Sequence, residues 1–136
     1  MDNNILYEIL AKNADQIEGS EGYWKFEINE IAFMCLTDQL HNRMRIIAPI
    51  TEANDLTDTQ LKKCMEANFH STLDVRYAIS DGILWTAFIH PLQELSENQV
   101  IDALSQIYSS VRTFGSTYSS GSLSFLTEEE RKFRLN

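Results

Sequence analysis

The residues of this chain that are able to do chemistry are few and scattered. Three histidines, His41, His70 and His90, fall in a loop, at a helix end and at a strand end. No two stand at the i, i+4 spacing by which one helix presents paired imidazoles to a metal, so they read as boundary or surface histidines. Cys35 and Cys64 both have apolar neighbours, where a free cysteine behaves as a small buried hydrophobe. The opening MDNNILYEIL has neither the basic start nor the long apolar core of an export signal. A cytoplasmic chain without a disulfide is the expectation. Glu8, Glu18, Asp55 and Asp58 are spread over helices and loops, and nothing pairs them for acid–base work. Glu128, Glu129 and Glu130, followed by Arg131 and Lys132, make a solvated face with local ion pairs. A glycine-rich phosphate loop and a G-x-S-x-G elbow are both missing. With no catalytic set and no cofactor site, the reading is a protein that is not an enzyme. A net charge of −9 argues against a nucleic-acid partner. No apolar run approaches the ~20 residues of a membrane span, so no membrane partner is expected.

The clearest structural signal is residues 73–92, LDVRYAISDGILWTAFIHPL. Leu73, Val75, Tyr77 and Ile79 alternate with polar or small residues, the period of an extended strand. Asp81-Gly82 then tolerates the positive φ of a tight hairpin. A second strand follows until Pro91, which has no N–H for a ladder. Upstream, residues 23–28 alternate, Asn29-Glu30 turns the chain, and residues 31–37 are apolar on both faces, as in a doubly covered strand. Residues 43–50 make a further strand, with Met44, Ile46, Ala48 and Ile50 inward, and Pro49 suggests that it is an edge strand or already ending.

Helical spacing of Ile5, Leu6, Ile9, Leu10 and Ile17 predicts a first helix over residues 3–17, ended by Gly19-Ser20-Glu21-Gly22. LTDTQL and LSENQV are matching helix starts, capped by Thr57 with Gln60 and by Ser96 with Gln99. The first opens a helix burying Leu61, Cys64, Met65 and Phe69. The second opens the longest helix, burying Val100, Ile101, Leu104, Ile107, Tyr108, Val111 and Phe114, and frays over residues 115–121. Residues 122–136 make a tail, a marginal helix capped at Thr127 or a mobile segment. The expectation is a single α+β domain over residues 1–121, with element order α-β-β-β-α-β-β-α. Helices cover one face of a mostly antiparallel five-stranded sheet in two layers.

Alternation also assigns the second face. If Asp81-Gly82 is the whole loop, Ile79 opposes Leu84 and Tyr77 opposes Thr86, and cross-strand partners share a face. Leu84, Thr86 and Phe88 then look toward the helices, and Ile83, Trp85, Ala87 and Ile89 look away. In the first hairpin Met34 and Leu36 look away too. Met34, Leu36, Ile83, Trp85 and Ile89 are therefore the candidate partner-binding residues, because a contiguous apolar patch on a soluble protein commonly marks an interface.

The element order, and residues 77–104 with Asp81-Gly82, the strand end His90-Pro91-Leu92 and the helix start Leu95-Ser96-Glu97, resemble the type III secretion chaperone-like fold. That fold includes the Tir chaperone (CesT) and YbjN-like sensory regulator families. The resemblance implies a small, acidic, dimeric protein that is not an enzyme and that holds a protein or peptide client against apolar surface. The leading reading is a homodimeric protein-binding module, chaperone-like or regulatory. The alternative is a small-molecule sensor with a pocket between the last long helix and the sheet, lined by Tyr108, Trp24 and Phe88.

Overall fold

A computed structural model describes residues 1–121; the helical or mobile tail expected at residues 122–136 lies outside the described residues. The elements are α1 (Asn3–Asn13), β1 (Gln16–Ser20), β2 (Tyr23–Ile28), β3 (Ile31–Asp38), β4 (Arg43–Glu52), α2 (Asp58–His70), β5 (Arg76–Ser80), β6 (Ile83–His90) and α3 (Glu97–Thr113). The strands form one antiparallel sheet in the order β1-β2-β3-β4-β6-β5. The α+β class and the helix-on-sheet layering are as expected, but the sheet has six strands rather than five.

The extra strand comes from the chain read as the end of the first helix. α1 stops at Asn13, and Ala14 is already extended at φ −95°, ψ 146°. Ile17 keeps its inward orientation from a strand instead, opposite Phe26 on β2. A helical spacing and a strand alternation coincide at that one residue, so periodicity alone misplaced it.

Both predicted hairpins hold. Ile28 pairs with Ile31 and Ser80 with Ile83. The intervening Asn29, Glu30, Asp81 and Gly82 all have positive φ, between 48° and 75°, as a two-residue loop matched to strand twist requires. β4 overturns the reading drawn from Pro49. It is a central strand between β3 and β6, and a register shift between Pro49 and Thr51 accommodates the proline. An extra residue at a bulge removes the ladder bond that proline cannot supply.

Both capping boxes form. Thr57 Oγ1 accepts from Gln60 N–H at 3.1 Å while Gln60 Oε1 accepts from Thr57 N–H at 3.0 Å, and Ser96 and Gln99 repeat the exchange at 3.1 and 2.8 Å.

Of the stripe predicted for α2, only Cys64 is buried. Cys64 and Ala67 are buried, whereas Leu61, Met65 and Phe69 are 39%, 55% and 69% exposed. Asn68 is turned to the β5 edge. Its amide donates to Tyr77 O at 3.0 Å and accepts from Tyr77 N–H at 2.8 Å. One side chain thus occupies the open edge of β5 where a further strand would pair. α2 is thus turned about a quarter turn from the orientation its apolar residues alone favour.

α3 buries Val100, Ala103, Leu104, Ile107 and Ser110, and Ile101 is exposed. Ser110 Oγ meets Thr86 Oγ1 at 2.6 Å and Tyr77 Oη donates to Ser110 O at 3.1 Å, so the helix is keyed to β5 and β6 by a satisfied buried network. The segment after α3 does not fray. Tyr118 is buried against Tyr77 and Phe114. Ser71 Oγ donates to Tyr118 O at 2.6 Å, and Thr113 Oγ1 accepts from Ser119 N–H at 2.9 Å.

The main core gathers Leu6, Leu10, Trp24, Phe33, Ile46, Phe88, Val100 and Ile107 between the helices and one sheet face. Trp24 and Phe88 belong to that core and Tyr108 packs against it.

Candidate functional site

The second face of the sheet is built by the same alternation that fills the core. On β6, Leu84, Thr86 and Phe88 are buried under the helices, which turns Ile83, Trp85, Ala87 and Ile89 outward. On β3, buried Phe33 and Cys35 turn Ala32, Met34 and Leu36 outward. All five candidate residues, Met34, Leu36, Ile83, Trp85 and Ile89, lie on this outer face. Ile89 is 56% exposed and the other four are half-buried. No described helix covers them.

β3 and β6 are not neighbours; β4 runs between them and supplies what sequence reasoning left out. Met34 pairs with Ile47, and Ile47 with Ala87. Pro49 pairs with Trp85, and Trp85 with Ala78. Leu36 pairs with Arg45, and Arg45 with Ile89. Ile47 and Pro49 make the patch continuous across three strands. Continuing the inward alternation of Met44, Ile46 and Ala48 by one residue points to Ile47, but Arg43 and Arg45 made that side of β4 read as polar.

The patch carries its own orienting groups. The Trp85 indole N–H donates to Ser80 O at 3.1 Å, which fixes the ring across the sheet rather than leaving it free. Arg45 interrupts the apolar row between Leu36 and Ile89. At the β5 edge Arg76, opposite Ala87, reaches Leu73 O and Val75 O, each at 2.6 Å. Toward the other end a hollow of about 390 Å³ opens beside Ile17, Lys25, Glu27, Ala32, Met34 and Pro49. Charges of both signs border the apolar rows: Arg76 on β5, Arg43, Arg45 and Glu52 on β4, Asp38 on β3, Lys25 and Glu27 on β2 and Glu18 on β1.

The cysteines and histidines stand apart from this face or are engaged in local contacts. Burial pushes the Cys35 thiol up to about 12 and the Cys64 thiol up to about 11, so neither is a thiolate near neutral pH. His41 bonds Asp38 at 2.8 Å within a turn, and His90 bonds Pro91 O at 2.8 Å. Among the described residues no three His, Cys, Asp or Glu gather as a metal site, and no helix is long and apolar enough to cross a membrane. The outer face is an apolar surface bordered by charges of both signs.

No protein-family model matches the chain, and no curated protein is similar to it in sequence. Solved structures are similar in fold. A chain of the HopA1–SchA chaperone–effector complex superposes with a TM-score of 0.63 at 12% identity, over 82% of this chain and 90% of that one. The Yersinia pestis type III secretion chaperone SycH in complex with a stable fragment of YscM2 gives 0.63 at 18% identity, over 82% and 98%. The ExsC–ExsE complex gives 0.60 at 13% identity, over 82% and 92%. The chain has the type III secretion chaperone-like fold, as the order of its elements implied.

Proposed function

We propose that this protein is a non-enzymatic, chaperone-like binding module that holds a protein or peptide partner on the outer sheet face and acts as a cytoplasmic homodimer. The observation that carries the reading is the continuous patch of Met34, Ile47, Pro49, Trp85 and Ile89, which no described helix covers. The fold supports it, because the neighbours include a chaperone–effector complex and a secretion chaperone with a bound fragment. An extended partner segment suits a sheet face whose apolar rows repeat at strand spacing.

Self-association has a different surface in this reading. Leu61, Met65 and Phe69, four residues apart on one side of α2, are exposed by 39%, 55% and 69%. A second copy related by a two-fold axis would bury the same stripe on both sides.

The test of the binding face is Trp85→Asp. A partner recovered with the tagged protein from its native host is identified, and its affinity for wild-type and variant chains is measured. Central aromatic anchors contribute about 2 kcal/mol or more on truncation, so binding weakens at least ~30-fold. The thermal midpoint stays close to that of the wild type, because Trp85 lies outside the core. Unchanged affinity would remove the outer face from the account.

A further inference from the structure

We propose that the hollow between α1 and the β1–β2 turn binds the guanidinium of an arginine in a partner polypeptide. The hollow lies on the helix-covered side of the sheet, away from Trp85, so the inference goes beyond the outer-face reading and does not depend on it.

Local structure assembles the site. On α1, Asn3 and Tyr7 stand one helical turn apart, and so do Asn4 and Glu8, which sets two adjoining rows on one side of the helix. Glu21 and Gly22 form the two-residue turn between Ser20 and Tyr23, with Gly22 at φ +83°. Trp24 faces inward from β2 and is 4% exposed. Asn3, Asn4, Tyr7, Glu8, Glu21 and Trp24 together line a hollow of about 530 Å³.

The lining selects a cation. Tyr7 is 42% exposed and its ring centroid lies 6.0 Å from that of Trp24, so an electron-rich ring stands at the surface on a buried indole. A guanidinium stacks on such a ring and forks to carboxylates at its edge. The two charged residues of the lining, Glu8 and Glu21, are both acidic. Among the described residues neither is in an ion pair, and Lys12, one turn beyond Glu8, forms none with it. The other cations of this region are engaged elsewhere. The Met1 ammonium donates to Gln93 O at 3.4 Å, and Lys25 Nζ lies 5.9 Å from the centre of the Tyr23 ring. An anion is disfavoured by the same carboxylates, and Asp2 already accepts from Ile5 N–H at 2.9 Å at the positive end of α1. A net charge of −9 adds attraction for a basic partner.

Two asparagines fit the rest of a peptide. Asn3, 5% exposed, donates to Glu21 Oε1 at 3.4 Å and accepts from Thr37 Oγ1 at 2.8 Å, which ties the Glu21 carboxylate to α1 and β3. Asn4 is exposed at the rim, and its carboxamide offers the donor and the acceptor that a peptide group needs. That favours an arginine within a chain over a free cation.

The full chain, labelled with nitrogen-15, is titrated by NMR with the capped tripeptide glycyl-arginyl-glycine. The same peptide carrying citrulline or lysine, and free methylguanidinium, are titrated in parallel. The arginine peptide is expected to shift the amides of Tyr7, Glu8 and Glu21 and the Trp24 indole signal saturably, and the uncharged citrulline peptide to leave them in place. Glu8→Gln combined with Glu21→Gln changes two exposed side chains without altering their shape, and weakens binding by about three- to tenfold. Equal shifts with citrulline, or shifts that spare the hollow, overturn the site. Equal affinity for the lysine peptide overturns the guanidinium assignment. Methylguanidinium binding as tightly as the arginine peptide overturns a polypeptide as the source. Each of these results leaves the outer sheet face to its own test.

Discussion

Gly19→Ala destabilises the domain by about 2–5 kcal/mol, although it adds one methyl group at a partly exposed hairpin. Gly19 has φ +131°, a region closed to side-chain-bearing residues, and holding alanine there costs about 1–3 kcal/mol. An added Cβ would stand 2.2 Å from Tyr23 O and 2.9 Å from Trp24 Cα. Both are backbone atoms of β2, and the Trp24 ring is fixed in the core, so relief requires moving the strand. Overpacking of that kind costs a further ~1–3 kcal/mol. Gly82→Ala is the internal control. It shares a positive φ, at +75°, but a Cβ there meets nothing within 4 Å, and its expected cost is about 1 kcal/mol. Urea titrations of the three proteins check this. Gly19→Ala within about 0.5 kcal/mol of wild type would show that the β1–β2 hairpin is not built as described.

In the proposed homodimer, Met65→Asp combined with Phe69→Asp is expected to shift the chain to monomer at concentrations where the wild type associates. Full burial of one such side chain contributes about 1.5–3 kcal/mol, and each copy contributes two. Placing carboxylates in the contact adds a desolvation cost. Dissociation constants rise by about 100-fold or more, since each 1.4 kcal/mol is tenfold. Because these side chains are 55% and 69% exposed, the fold itself is untouched. Sedimentation velocity across a dilution series reads the outcome. A wild type that stays monomeric throughout, or a variant that dimerises equally well, places self-association elsewhere.

Much of this architecture was legible in the residues. Where turn chemistry and alternation agree, as at Asp81-Gly82 with Tyr77 and Trp85 on either side, register and facing followed directly, because a two-residue loop leaves no freedom to slip. Both helix entrances were legible for a similar reason: a capping box satisfies specific backbone donors at fixed spacing. The failures occurred where a long-range contact overrode a local pattern. α2 looked amphipathic about Leu61, Cys64, Met65 and Phe69, but only Cys64 of these is buried, and Asn68 is turned to the β5 edge, where it pairs with Tyr77. Pro49 looked like an edge residue because a bulge leaves no mark in composition. β1 was missed because Ile17 satisfies two periods at once. On the candidate face, the outward orientation of Met34, Leu36, Ile83, Trp85 and Ile89 followed from alternation, and Ile47 and Pro49, which join them, were hidden beside arginines.

The most direct measurement on the central claim is site-specific photo-crosslinking in the native host. A benzophenone-bearing residue is placed at Ile89 on the outer sheet face and, in a parallel chain, at Ser105 on the exposed side of α3. Adducts to a common partner polypeptide from Ile89, absent from Ser105, are the predicted result. Adducts from Ser105 with none from Ile89 would contradict the account.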